Sequence, residues 1–158
     1  MKKFLKVIGL TLLLALIVPA AKAERLPIPG DKLPAQAQLF IKEYFPQQTV
    51  ERAWAKMMRP TSEPMWYDVV LSNGVKINFS LDGNWYGISA KKSNQPLSID
   101  FLPNAARKYI TDNCKGQSVK SIKWKKDMYK VKMSDGQTLI FDKDYSFVKA
   151  KKAKKDKN

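Results

Sequence analysis

Carboxylates and lysines are the reactive side chains this 158-residue sequence has in number, because it contains no histidine and one cysteine, Cys114. Without imidazole there is no ordinary general base near neutral pH, no Ser/His or Cys/His nucleophile pair, and no usual ligand set for zinc or iron. Asp82, beside Gly83 and Asn84, and the pair Asp142 and Asp144 offer oxygen atoms of the kind calcium takes. Hairpin turns use the same residue types for their backbone geometry, and no twelve-residue ligand loop surrounds them. There is no glycine-rich phosphate loop and no paired-carboxylate spacing. The expectation is no enzyme, no cofactor and no metal, with Cys114 as a small buried apolar residue.

Contact chemistry is better represented. Of the four tryptophans, Trp85 follows a turn and reads as core. Trp66 precedes an inward-facing Tyr67, so it should face outward beside Met57, Met58 and Met65. Aromatic and methionine side chains give large contact area at interfaces. The alternative is that a longer local loop folds back over them. With Val70, Lys76, Lys130 and Lys132 from the expected open sheet face, they form the candidate binding set.

The chain opens with Lys2, Lys3 and Lys6, an apolar stretch from Val7 to about Pro19, and small residues at Ala21 and Ala23. This is the pattern of a secretory signal over residues 1–23, cut near Ala23, and its apolar run is shorter than the roughly 20 residues a membrane-spanning helix needs. A periplasmic or secreted product follows. An exported chain with one cysteine must rely on its hydrophobic core rather than on internal disulfides.

The formal charge of +15 is unevenly spread. The signal carries four lysines, and the end carries Lys149, Lys151, Lys152, Lys154, Lys155 and Lys157 against Asp156, which leaves +6 on the rest. A lysine/alanine run over 151–158 cannot bury enough surface to order itself. It reads either as a solvated terminus or as a means of adhering to an anionic surface, an attraction that salt would weaken. Nucleic acid does not suit an exported chain, and another envelope protein is the natural macromolecular partner.

Internal similarity decides the expected architecture. Leu33-Pro34-Ala35-Gln36-Ala37 opens a helical pattern through Phe40, Ile41 and Tyr44, and Leu102-Pro103-Asn104-Ala105-Ala106 opens another through Tyr109 and Ile110. Tyr67-Asp68-Val69 with Ser72-Asn73-Gly74 and Phe79 matches Tyr129-Lys130-Val131 with Ser134-Asp135-Gly136 and Phe141, after a longer first-copy loop in or near 56–64. The expected fold is α+β: two tandem repeats, at 24–91 and 92–150, each a helix followed by a four-stranded antiparallel sheet, with the helices packed on one face. Helices are expected over 33–45 and 102–114. Three-residue loops Ser72-Asn73-Gly74 and Ser134-Asp135-Gly136 pair Val69 with Ile77, Tyr67 with Phe79, Val131 with Leu139 and Tyr129 with Phe141. That register gives one consistently apolar face.

The run Leu33-Pro34 through Phe40-Ile41 to Tyr44-Phe45-Pro46, then Tyr67-Asp68-Val69, Asn73-Gly74, Phe79 and Asp82-Gly83-Asn84-Trp85, resembles the β-lactamase-inhibitor-like, PepSY-like family of exported proteins found in Bacteroides-type bacteria. The second half departs from it, with Asn113-Cys114-Lys115-Gly116 at the helix end and Tyr145 where Gly83 would stand. The resemblance implies paired helix-on-sheet modules side by side, with a shared eight-stranded sheet as one way of joining them. Its implied role is a protein inhibitor or interaction protein of the bacterial envelope, the alternative being a structural protein held at an envelope surface by its basic tail.

Overall fold

The apolar alternation around each glycine-containing loop produces hairpins, and the hairpins join into a single sheet. The structure, a computed structural model, describes residues 24–58, 63–93 and 95–152. The expected signal at 1–23, the end from 153 including Lys154, Lys155 and Lys157, and part of the expected first-copy loop lie outside the described residues. In chain order the elements are β1 (Glu24–Ile28), α1 (Ala35–Tyr44), β2 (Val50–Met58), β3 (Glu63–Leu71), β4 (Lys76–Phe79), β5 (Trp85–Ser89), α2 (Asn104–Asn113), β6 (Val119–Trp124), β7 (Met128–Met133), β8 (Thr138–Asp142) and β9 (Phe147–Lys151). The strands lie in sequence order from β1 to β9, each antiparallel to its neighbour.

This corrects the expectation of two helix-plus-four-stranded repeats: the architecture is one continuous nine-stranded sheet with two helices. Two observations overturn it. First, β5 pairs with β6, setting Ile88 opposite Ile122 and Ser89 opposite Ser121, so no sheet edge separates the halves. An unpaired edge there would expose a row of backbone donors and acceptors, and pairing removes that cost. Second, the core is one cluster, running from Leu33 and Phe40 through Phe79, Ile88 and Leu97 to Val131 and Phe141. The connection between β5 and α2, for which the sequence carried no strong signal, seals the junction. Its Phe101 ring sits 5.7 Å from Phe40 and 5.3 Å from Trp85, and Trp85 in turn lies 6.0 Å from Tyr129.

Strand β1 is the second addition. It pairs with β2, Ile28 opposite Ala53 and Glu24 opposite Met57. Pro27 is tolerated because β1 is an edge strand, where a missing N–H need not break a ladder. Residues 56–58 and 63–64, from the stretch expected as irregular loop, instead lengthen the β2–β3 hairpin, with Met58 opposite Glu63. β1 lies along residues 53–57 of β2.

The hairpin registers agree with the sequence reading. Tyr67 faces Phe79 and Val69 faces Ile77; Tyr129 faces Phe141 and Val131 faces Leu139. Gly74 and Gly136 close the loops at φ +82° and +86°, where residues with a Cβ are disfavoured. Both helices begin after a proline, Pro34 or Pro103, a residue that cannot supply an i→i−4 donor and so suits a helix start. α1 buries Ala37, Phe40 and Ile41, and α2 buries Ala106 and Ile110, against the inward side chains of the sheet. Gly83 is required for packing as well as for its turn. At φ +82°, a Cβ there would stand 2.7 Å from the Ala37 backbone nitrogen, so the β4–β5 turn can lie on the first turn of α1 only without one.

Candidate binding face

Successive strand residues point to opposite sides of a sheet, so the registers sort every side chain. The inward side carries the core. The outward side carries Trp54, Trp66, Asp68, Val70, Lys76 and Asn78 on β2–β4, and Lys123, Lys130, Lys132, Ile140, Lys149 and Lys151 on β6–β9. Val70 and Ile140 are buried yet stand outside the core cluster, as befits apolar residues covered only by their outward neighbours.

At the β1–β5 end the face centres on Asp68. Its carboxylate is largely buried and would be costly without partners. Arg25 of β1 donates to one oxygen, reaching across β2, and the Asn78 side-chain amide donates to the other at 2.6 Å. Burial, with the nearby Asp68 charge as a smaller cause, pushes the Tyr86 phenol up to about 12. Trp54 stands opposite Asp68, with the Arg25 and Arg52 guanidinium carbons 5.4 and 5.7 Å from its ring centre. The Lys56 ammonium lies 4.8 Å from the centre of Trp66. Each such cation–π contact contributes on the order of 0.5–1 kcal/mol at an exposed site. Together they form a ridge of tryptophans and cations.

The structure distributes the expected binding residues over two sides. Trp66 and Lys76 share the outward face, as do Lys130 and Lys132 further along the sheet. Val70 lies there too but is covered, at 6 % exposure. Met65 alternates with Trp66 and therefore falls on the side of Tyr67. Met57 faces Pro64 beyond a bulge, and Met58, opposite Glu63, is exposed at the hairpin end. Arg25, Trp54, Arg52 and Tyr86 were not singled out by sequence. The Arg25 contact depends on β1, whose Leu26 and Ile28 alternation is too short and too interrupted by Pro27 to read locally. Lys151, expected at the start of the tail, belongs to β9 and joins the sheet face beside Lys149, which the expected second repeat already contained.

The β8–β9 turn engages both of its carboxylates. Asp142 Oδ1 accepts from the Asp144 N–H at 2.9 Å and the Ser146 N–H at 2.8 Å, and Asp144 pairs with Lys143 at 2.8 Å. Among the described residues no group of three or more Cys, Asp or Glu side chains could hold a metal ion. Cys114 is buried at the C-terminal end of α2, and that burial raises its thiol pKa, the direction of an inert side chain. Grooves of about 670, 350 and 240 Å³ all lie on the helix side or beside the β5–α2 connection.

These features define a class: a single-sheet α+β domain with one face closed by helices and the other open. The chain belongs to the family described as "Putative beta-lactamase-inhibitor-like, PepSY-like", whose profile matches residues 65–149. Among solved structures it is similar to a Bacteroides vulgatus periplasmic protein of the DUF2874 family, at 31% identity and TM-score 0.68 over 81% of this chain and 97% of that one. A second B. vulgatus periplasmic protein, of unknown function, matches at 26% identity and TM-score 0.69 over 81% and 99%. A Bacteroides thetaiotaomicron protein described as a "putative calcium-regulated periplasmic protein" matches at 28% identity and TM-score 0.69 over 80% and 96%. No curated protein matches the chain.

Proposed function

We propose that this chain is a non-enzymatic periplasmic binding module whose working surface is the open sheet face, gripping another envelope protein through the Trp54–Trp66 ridge. The periplasmic descriptions of its structural relatives support the compartment. The observation that carries the reading is the stacking of Arg25, Arg52 and Lys56 on two tryptophans of an uncovered face. Stacked cations on flat aromatics combine apolar area with charge, tryptophan and arginine are enriched among interface anchors, and such a ridge suits a partner surface presenting carboxylates beside apolar groups.

The calcium regulation written for the B. thetaiotaomicron relative is not carried over, because the Asp142 turn engages its carboxylate with its own backbone. Co-purification from envelope extract tests the proposal with Trp54→Ala and Trp66→Ala against Leu39→Ala, an exposed position on α1. Loss of the same partner from both tryptophan variants, with retention by the helix variant, is the expected outcome. A partner set insensitive to both tryptophans would overturn the ridge as the contact.

A further inference from the structure

The β6–β9 half of the open face has a different character. Across the strands, Gly87, Lys123, Lys130, Ile140 and Lys149 form one row, and Ser89, Ser121, Lys132, Thr138 and Lys151 the next. Neighbouring strands are about 4.8 Å apart and alternate residues along a strand about 7 Å apart, so five ammonium groups share a small plane. Lys123 and Lys130 are direct cross-strand partners. Like charges directly opposite are destabilising, and on interior strands the arrangement cannot be explained as protection of a sheet edge. Asp142 is the one carboxylate on the outward positions of these strands, and it is held by its own turn. Among the described residues no carboxylate pairs with any of the five lysines. Ile140, between Lys130 and Lys149, is 3 % exposed, as it is when flanking lysine stems lie over it and carry their charges outward.

We infer that this lysine plane docks on the surface of an anionic phospholipid bilayer. Strands β6–β9 carry no arginine, the residue whose fork grips a single phosphate or carboxylate in two-point fashion, whereas lysine acts as a mobile point charge. The three grooves on the helix side are lined by other residues, not by these lysines. A broad field of point charges on a twisted sheet face suits the diffuse negative potential of a headgroup layer. Lys152, directly after β9, adds to the same charge. At an ordinary twist of roughly 20–25° per strand, the face turns through roughly 100° between β3 and β8. Lipid docking by the lysine half therefore leaves the tryptophan ridge pointing elsewhere, and the two proposals can fail separately.

Vesicle co-sedimentation of the chain lacking residues 1–23 tests this, with phosphatidylglycerol-containing and pure phosphatidylcholine vesicles at low and high salt. The wild type is expected to sediment with the anionic vesicles alone and to be released by salt. The face variant Lys123→Gln/Lys130→Gln/Lys149→Gln should lose roughly five-fold in partition per lysine removed, about a hundred-fold in all, and more than Lys154→Gln/Lys155→Gln/Lys157→Gln. Thermal unfolding checks that the face variant is folded; Lys130→Gln alone, with its roughly five-fold loss, carries the same test if it is not. Equal sedimentation with phosphatidylcholine, wild-type binding by the face variant, or binding to soluble polyglutamate without vesicle partition would each overturn the inference, the last pointing to an acidic protein instead.

Discussion

Lys123 on β6 and Lys130 on β7 face each other directly across the open side of the sheet, and the neutral Gly87 and the covered Ile140 flank the pair along its row. Their mutual repulsion costs stability that an unliganded protein has no structural reason to bear. Lys123→Gln should stabilise the fold by roughly 0.2–1 kcal/mol. Denaturant unfolding at low and moderate salt measures this: added salt should raise wild-type stability more than that of the variant, because screening relieves the same repulsion.

Asp68 ties the edge strand to the sheet. Its carboxylate accepts from Arg25 on β1 and from Asn78 on β4, so Asp68→Ala leaves a half-buried amide without its acceptor. The expected loss is on the order of 1–3 kcal/mol, read by chemical denaturation. Hydrogen exchange of the β1 amides should quicken in the same variant, while β7 and β8 amides change only as far as global stability does.

Two glycines at positive φ separate packing from backbone strain. Gly83→Ala places a methyl 2.7 Å from the Ala37 nitrogen, whereas Gly116→Ala, at φ +75°, meets nothing within 4 Å. The second change bears the backbone cost alone, on the order of 1 kcal/mol, and the first adds displacement of α1 from the turn. Thermal melting should show Gly83→Ala as clearly the more damaging of the two.

Tyr86 gives the protein an alkaline limit. Its phenol is held neutral up to about 12, against 10.0 for an ordinary tyrosine, chiefly by burial. Because the folded value lies above the unfolded one, its contribution is fully present below pH 10 and is lost as pH rises from about 10 toward 12. Tyr86→Phe should flatten the fall in stability across that window, and phenolate absorbance should show the corresponding late titration disappear.

Tyr145 shows how local sequence rules yield to packing. It occupies a turn at φ +62°, a conformation that strains a bulky residue, yet its ring stacks on Tyr129 at 4.1 Å. Burial, with a hydrogen bond to Tyr129 as the next cause, raises its phenol pKa. Tyr145→Gly relieves the turn and removes the stack. Tyr145 is half-buried, so the loss of its packing and stack, on the order of 1–2 kcal/mol, largely offsets the roughly 1–2 kcal/mol of relieved backbone strain, and calorimetry should show a change in stability of less than about 1 kcal/mol.

What the sequence determined by itself is what depends on neighbours along the chain. The glycine-containing loops and the two-residue alternation of Tyr67, Val69 and Leu71 against Val75, Ile77 and Phe79 specify the hairpin register, since a one-residue slip would turn the core outward. The prolines at 34 and 103 and the apolar stripe of α1 place the helices to within two residues. The outward positions of Trp66, Lys76, Lys130 and Lys132 follow from the same alternation. Tertiary structure alone decided which edges meet: the joining of β5 to β6, the docking of β1, the extension of the β2–β3 hairpin and the inclusion of Lys151 in β9. Such pairings rest on backbone hydrogen bonds between distant segments, which are nearly indifferent to side-chain type and leave little local signature. For that reason the binding face was legible as scattered residues, whereas the Arg25–Asp68 tie and the five-lysine plane exist only once the strands lie side by side in one sheet.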